Sequence, residues 1–469
     1  MALTRKAQSA GDPDAPSRAG YEPAGRERVG LAARTVAAAL ISKVVDGGHS
    51  LDQLCDEKAG LASLRALIAK DRALARAIAL TALRRRRQIE RAISSLVRSE
   101  PPKAARHLLH TLHVAAAQVL FMQVPPSAAV NLAVTALAED RRSSRFTGFA
   151  NALLRRLAEN AAAWRDAPVD AASQFPAWLA TAIAADHGSA AADAIAAMVA
   201  REPMLDLTLA PDMDEAERAA LATATGGRLL SDRSLRIFDG RPVREIPGYA
   251  DGRWWVQDHA ASLPARLLGD VAGLRVADLC AAPGGKTAQL AAAGARVMAV
   301  DVSAPRLERL RANLERLRLK AEAIAADFVT VSAPQAFDAV LLDVPCSSTG
   351  TLRRHPDVMW AKSAEDIDRL AAVQARMLLA ASRWVKPGGR LVYANCSLLK
   401  REGEEVVARA LKLDPSLSIR PVARGEAGIA GDWIAADGAL RTLPCHLPLD
   451  PPERGGLDGF YACRLVKAA

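Results

Sequence analysis

The chain has 469 residues, half of them apolar, with 62 Lys+Arg against 52 Asp+Glu for a net charge of +10. At about 100–200 residues per domain this provides for two to four domains with a sizeable core, and excludes a disordered or fibrous chain. No apolar run reaches the roughly 18–20 residues that a membrane span needs, and residues 1–28 mix acids with Arg and Lys around no apolar segment, so a cytosolic protein without a secretory signal is expected. The charge is unevenly placed. Residues 1–170 hold 26 Lys+Arg against 16 Asp+Glu, and the remainder hold 36 of each. All net positive charge thus lies in the N-terminal third, which suits a polyanion such as nucleic acid, although a solvated Arg-rich surface gives the same numbers. The six cysteines are scattered without metal-ligand spacing, so neither a disulfide framework nor a structural zinc site is expected.

In chain order, residues 1–28 read as a mobile tail rich in Gly, Pro, Ala and charge. Residues 29–160 show helical apolar periodicity, in Thr35-Val36 with Leu40-Ile41, in Leu74, Ile78, Leu80 and Leu83, and in the nearly apolar stretch 108–122. Breaks at Gly47-Gly48, Pro101-Pro102 and Pro125-Pro126 divide an all-α bundle. Arg84-Arg85-Arg86-Arg87 ends one helix and Arg141, Arg142, Arg145, Arg155 and Arg156 flank another, positions that also favour the helix dipole. Residues 161–250 form a less readable connecting subdomain, with a helix start at Phe175-Pro176-x-Trp178 and turns at Gly226-Gly227 and Pro247-Gly248. From 251 to 469 strands alternate with helices. Strands are expected at 276–279, 296–302, 323–326, 337–344 and 390–394, and helices at 306–319, 364–385 and 402–412. The fold class is α/β: a parallel-rich sheet with helices on both faces, preceded by the all-α bundle. Ligands of such sheets bind at the carboxyl ends of the strands, and each motif below falls there.

The first motif, Asp278-Leu279-Cys280-Ala281-Ala282-Pro283-Gly284-Gly285-Lys286-Thr287, joins a strand to a helix. Its glycines let the backbone approach a ligand, and the helix start offers free N–H groups. Asp301, ending the next strand, can accept from both hydroxyls of a ribose, and Asp327, ending the third, from an adenine amino group. The turn is neither G-x-G-x-x-G nor a P-loop, which counts against dinucleotides and ATP.

Asp343-Val344-Pro345-Cys346-Ser347-Ser348-Thr349-Gly350 follows the fourth strand and Tyr393-Ala394-Asn395-Cys396-Ser397 the fifth. Neighbouring strand ends would put both thiols on one cleft. A thiolate adding to C6 of a cytosine turns C5 into an enamine carbon able to attack a methyl sulfonium. The C5 proton and the thiol must then leave, which asks for a second acid/base group. Asp343 is placed to contact N3, and Lys286 with the helix N-terminus favours Cys396 as thiolate. His107, His110 and His113 share a helical face, but within an apolar helix and without carboxylates, so packing or RNA contact is expected and no metal. Trp254-Trp255 read as buried at the domain junction, and Asp278 and Asp338 as ordinary turn and strand-end residues.

These motifs, D-x-C-A-A-P-G-G-K-T, L-L-D-x-P-C-S-x-T-G and Y-x-x-C-S, resemble those of the Sun (Fmu) family of RNA cytosine-5 methyltransferases. The resemblance implies a Rossmann-like class I methyltransferase domain. It implies that Cys396 attacks the base, that Cys346 assists product release, and that Cys280, Ala281, Ala282, Pro283, Gly284, Gly285 and Lys286 with Asp301, Asp327 and Asp343 bind S-adenosyl-L-methionine. Residues 353–360, RRHPDVMW, look like the branch acting on bacterial small-subunit (16S) ribosomal RNA. Residues 71–87 and 146–156 are similar to the NusB-like RNA-binding bundle of that branch. The partner so implied is 16S rRNA, naked or in an early assembly intermediate, met by a monomer without membrane or metal. Departures are Asn395 where Thr is usual, a 398–402 segment without the usual proline–acid run, and no Arg-x-Asn near 205–208. Rival readings are a transfer-RNA cytosine-5 enzyme, against which the bundle argues, a non-catalytic RNA-binding assembly factor, and a small-molecule or protein methyltransferase, which would need neither cysteine.

Overall fold

A computed structural model describes residues 29–98, 102, 105–331 and 337–469. The expected tail, 1–28, lies outside the described residues. The bundle follows from its alanines. Helices Leu31–Val45, Ala69–Arg84, Arg86–Leu96, Pro126–Glu139 and Thr147–Glu159 surround Arg106–Phe121, which is apolar nearly all round and buried along its length. Ala33, Ala37, Ala75, Ala79 and Ala115 to Ala117 are fully buried at the contacts, where small side chains let helix axes approach. The three histidines pack rather than gather. His107 bonds Ser143 Oγ (2.9 Å), His110 bonds Asp46 (2.8 Å), and His113 donates to the Leu109 carbonyl (2.7 Å).

Residues 161–256 hold two pieces. Helices Ala177–His187 and Ser189–Val199 form an apolar cluster with Leu352, Met359, Leu398 and Leu399, so this stretch packs beneath the two cysteine loops. Next comes a small antiparallel sheet of β1 (Leu205–Leu209), β2 (Arg228–Ser231), β3 (Ser234–Ile237) and β4 (Trp254–Val256), in the order β2-β3-β1-β4. Trp254 and Trp255 are buried in β4, which places the end of this unit past the expected boundary at 250.

The large sheet contains β5 (Arg275–Leu279), β6 (Arg296–Asp301), β7 (Glu322–Ala325), β8 (Phe337–Asp343), β9 (Val385–Asn395), β10 (Leu417–Ile419), β11 (Leu440–Thr442) and β12 (Phe460–Lys467). Its order is β10-β12-β9-β8-β5-β6-β7, with β11 on β12. Strands β5 to β9 are parallel, and β12 runs antiparallel to β9. Val340, Leu341 and Leu342 in β8 and Leu391 to Ala394 in β9 are fully buried, as continuous apolar runs covered on both faces must be. The order in which strands are added reverses between β5 and β8, and a crevice opens at the carboxyl ends of strands at such a point.

The bundle docks on the segment after the first cysteine loop. The Leu51 N–H donates to Asp357 (2.8 Å), Trp360 Nε1 donates to the Leu83 carbonyl (2.8 Å), and buried Arg84 donates to the carbonyls of Val199, Arg201 and Arg353. Of the four consecutive arginines, Arg84 is therefore engaged within the protein, and so are Arg85, whose guanidinium lies 4.9 Å over the Phe121 ring, and Arg86, 5.4 Å over the Trp360 ring.

An ion pair inside the small sheet, between β1 and β3, also anchors that sheet to the large-sheet domain. Arg236 donates to both oxygens of Asp206 (2.7 and 2.8 Å) and to the Arg454 carbonyl (2.9 Å), while the His259 N–H donates to Asp206 (3.1 Å). Both side chains are 1% exposed. Removing one partner strands the other charge in the interior, so Asp206→Asn should cost about 3–5 kcal/mol. It should lower the melting temperature of the full chain, measured by circular dichroism; an unaltered melting curve would show that the pair holds nothing together.

Candidate active site

The turn after β5 is shaped for close approach. Cys280 and Gly284 both have left-handed backbone (φ 64° and 102°), and a Cβ on Gly284 would fall 2.8 Å from Leu310. The helix Gly285–Ala292 starts directly after it. Asp301 is buried and braces the turn: it accepts from Ala282 N–H (3.1 Å) and Ser303 N–H (2.9 Å). Asp327 sits two residues beyond β7, exposed, and accepts from the Val329 N–H (3.0 Å). A cavity of about 410 Å³ is lined by Asp278, Cys280, Ala281, Pro283, Gly285, Lys286 and Asp343, with Arg354 and His355 opposite. Of the residues expected to contact the cofactor, this cavity gathers those of the turn and Asp343. Ala282, Gly284, Asp301 and Asp327 do not line it.

Asp278 is more than an ordinary turn residue. It is buried at 1% exposure, Thr287 donates to one oxygen (2.6 Å), and the other oxygen has no partner. Burial pushes its carboxyl up to about 7, the Thr287 bond opposing and Asp343 adding to the rise. A buried acceptor left open beside a cavity fits a ligand that brings an N–H or O–H donor.

The cysteine pair lies one strand further. Val340 to Asp343 of β8 pair in parallel with Leu391 to Ala394 of β9, so the loops after them leave the sheet side by side. Cys346 Sγ and Cys396 Sγ, 50 residues apart in sequence, are 3.4 Å apart and half-buried. Lys286 Nζ donates to Asp343 Oδ2 (2.7 Å) and so links the turn to the end of β8. Burial works against the Lys286 charge, but Asp343 holds its pKa above the usual lysine value.

The two thiols do not titrate alike. A hydrogen bond from Cys346 lowers the Cys396 pKa against burial and the Asp343 charge, with help from Ser348 (Oγ 3.7 Å from the sulfur) and Lys286. Cys346 is raised well above the ordinary thiol by its pairing with Cys396, by burial and by the Glu402 charge. The two thiols are thus pushed in opposite directions, Cys396 toward the thiolate and Cys346 toward the thiol.

Two departures in the sequence have local explanations. Asn395 is buried, accepts from the Ser397 N–H (2.9 Å) and donates to the Glu402 carbonyl (2.9 Å), so its side chain shapes the loop that carries Cys396. Glu402 is the acid that matters in the altered 398–402 segment. It is fully buried between the two loops, a role that sequence reading missed because its partners lie 55 and 28 residues away. Among the described residues, no three or more His, Cys, Asp or Glu come together as a metal site.

Residues 266–466 match the family model described as 16S rRNA methyltransferase RsmB/F, and residues 31–159 match the NusB family. Ribosomal RNA small subunit methyltransferase B of Xanthomonas campestris pv. campestris is 38% identical over 455 residues, covering 94% of this chain and 98% of that protein. The protein of the same name from Serratia proteamaculans is 33% identical over 448 residues, covering 92% of this chain and 98% of its own length. Among solved structures, PH0851 superposes with a TM-score of 0.67 at 22% identity, over 92% of this chain and 99% of that one. NSun6 from Pyrococcus horikoshii with SFG superposes at 0.52 and 18% identity, over 63% and 99%. Both structures share the fold. With its motifs, its bundle and its full-length similarity to these relatives, the chain belongs to the RsmB/F family of S-adenosylmethionine-dependent 16S rRNA methyltransferases.

Proposed function

We propose that this enzyme methylates carbon 5 of a cytosine in 16S rRNA through a transient bond between Cys396 and C6 of the base. The observation that carries the reading is the sulfur pair: two thiols 3.4 Å apart, one lowered and one raised in pKa, beside the Lys286–Asp343 pair at the rim of the turn cavity.

The Cys396 thiolate adds to C6, the C5=C6 electron pair moves onto C5, and N3 becomes basic. Asp343, held by Lys286 and part-exposed to the cleft, faces N3 and shares a proton with it. S-adenosylmethionine, when bound, supplies an electrophilic methyl group for C5. Asp278 offers its open oxygen to a donor on that molecule, the turn 280–286 offers backbone, and Asp301 and Asp327 serve the ribose and the base. Once the Cys396 sulfur is bonded to carbon it carries no charge, so the main reason for the raised Cys346 pKa lapses. Cys346 then loses its proton to solvent and accepts the one leaving C5. The S–C6 bond breaks, restoring the C5=C6 double bond and the Cys396 thiolate. The acyl-transfer and phosphoryl-transfer uses of a cysteine need no partner thiol of opposite tendency, which favours the pyrimidine reading.

RNA is held beyond the cleft. Arg141, Arg142, Arg145, Arg155 and Arg156 are exposed on the bundle, unlike Arg84, and form the basic surface for phosphate contacts.

Methyl transfer from labelled S-adenosylmethionine to unmodified 16S rRNA, with nucleoside analysis, tests the product: 5-methylcytidine is expected, and a different modified nucleoside would refute the assignment. Cys396→Ala should give background product and no covalent RNA–protein band on denaturing gels, whereas Cys346→Ala should accumulate that band. Normal turnover by Cys346→Ala without a band would remove Cys346 from the release step. Asp278 adds a pH test. Its folded pKa is raised from 3.8 to about 7, so between those values the native state holds a proton that the unfolded state has lost, and stability falls as pH rises through that window. Asp278→Asn removes this penalty. Its melting temperature should exceed the parent's at pH 8 by about 4 °C or more, since each kcal/mol is worth a few degrees, and the gap should shrink at pH 5; an equal gap at both pH values would disprove the assigned titration.

A further inference from the structure

One buried carboxylate lies outside the chemistry above. Glu402 Oε1 accepts from the Ser347 backbone N–H (2.8 Å) and Gln374 Nε2 (2.9 Å), and Oε2 accepts from Ser347 Oγ (2.5 Å) and Ser397 Oγ (2.6 Å). Its carbonyl accepts from Tyr393 Oη (2.6 Å) and Asn395 Nδ2 (2.9 Å). Ser347 follows Cys346 in the chain and Ser397 follows Cys396, so one residue grips the neighbour of each reactive sulfur. An ionised carboxylate has about four acceptor sites, and all four are used. Arg441, the nearest guanidinium of the nucleophile loop, is turned to the Ser397 carbonyl (2.6 Å) and to Glu404, so hydrogen bonds rather than a cation hold the charge of Glu402 in the interior.

We propose that Glu402 is a positioning residue for methyl transfer, the brace that fixes the two cysteine loops and so the separation of their sulfurs. The proposal rests on the reading of Cys396 as nucleophile. Glu402 acts through Ser347 and Ser397 and reaches neither the cavity nor the base. Its charge stands on the side of Cys346 and favours the protonated form of that thiol. The other charged or titratable groups that face the pair are Asp343 and Lys286 from the cleft, with Tyr393 and Arg441 from behind. A glutamine at 402 has the same size, but it turns an NH2 toward converging donors and removes the charge. It is therefore expected to let the loops shift and Cys346 share the ionisation.

The test uses the full-length Glu402→Gln protein. Without RNA, iodoacetamide labelling at neutral pH, read by peptide mass spectrometry, should modify Cys396 in preference to Cys346 in the parent. In the variant that ratio should fall about tenfold, the change one pKa unit produces. In single turnover at saturating 16S rRNA the rate should fall about 100-fold, the cost of an ångström-scale misplacement, with the KM for RNA unchanged. A labelling ratio equal to the parent's overturns the proposal, whether the rate is retained or lost, since a rate loss alone reports only weakened structure. Should Glu402→Gln fail to fold, Ser397→Ala, which removes one donor and keeps the carboxylate, should shift the ratio in the same direction by a smaller factor; no shift overturns the proposal equally. Failure of the underlying reading shows separately, as methylation that survives Cys396→Ala, and leaves the labelling ratio legible.

Discussion

The parallel pairing of β8 with β9 is the constraint from which the site follows. Asp343 lies opposite Ala394, so the chain leaves both strands at the same height, and three residues beyond Asp343 and two beyond Ala394 the sulfurs meet at 3.4 Å. A slip of one residue would turn every side chain of one strand to the opposite face. It would carry Asp343 away from Lys286 and one thiol away from the other. The register is protected by what it buries. Val340, Leu341 and Leu342 are covered on both faces of the sheet, and so are Leu391, Val392, Tyr393 and Ala394.

Around that pairing the remaining parts act as braces. Helices Ala177–His187 and Ser189–Val199 are remote in sequence, yet His187 donates to the Leu398 carbonyl (2.7 Å) and Asp186 accepts from the Lys400 N–H (2.8 Å), so they secure the loop just past Cys396. The bundle grips 353–360, just past the Cys346 loop, through Asp357, Trp360 and Arg84. Each cysteine loop is thus backed by a different upstream element. These contacts connect the bundle, with its exposed arginines, to the segment beside the cleft.

The protein keeps several charges in its interior, and each has a distinct settlement. Asp206 and Arg236 neutralise each other in a two-pronged pair. Glu402 is satisfied by four donors. Asp278 has a single side-chain donor and one open oxygen, with its proton affinity raised to about 7, and Asp357 at the seam with the bundle likewise keeps one oxygen without a partner among the described residues. Incomplete satisfaction of a buried acid is costly to folding, and at Asp278, beside the cavity, the open oxygen is also available to a donor.

By itself the sequence determined the order of the helical bundle and the methyltransferase domain, the strand and helix alternation, and which side chains are candidates for the chemistry. These rest on local signals: apolar periodicity, glycine at the turn after β5, and short motifs that sit whole within a strand end and its loop. It also pointed to both cysteines, because Cys346 and Cys396 each follow an apolar strand run. Boundaries differ by a few residues, and the small antiparallel sheet, with β4 past residue 250, is not legible at all, since strands of three to five residues carry little periodicity. Only the tertiary structure decided which arginines face solvent and which, like Arg84, bind carbonyls of distant segments. It also decided that Asp278 is an unsatisfied buried acid and that Glu402 joins both loops. Burial and hydrogen-bond partnership depend on residues far away in the chain, and no spacing along one segment encodes them.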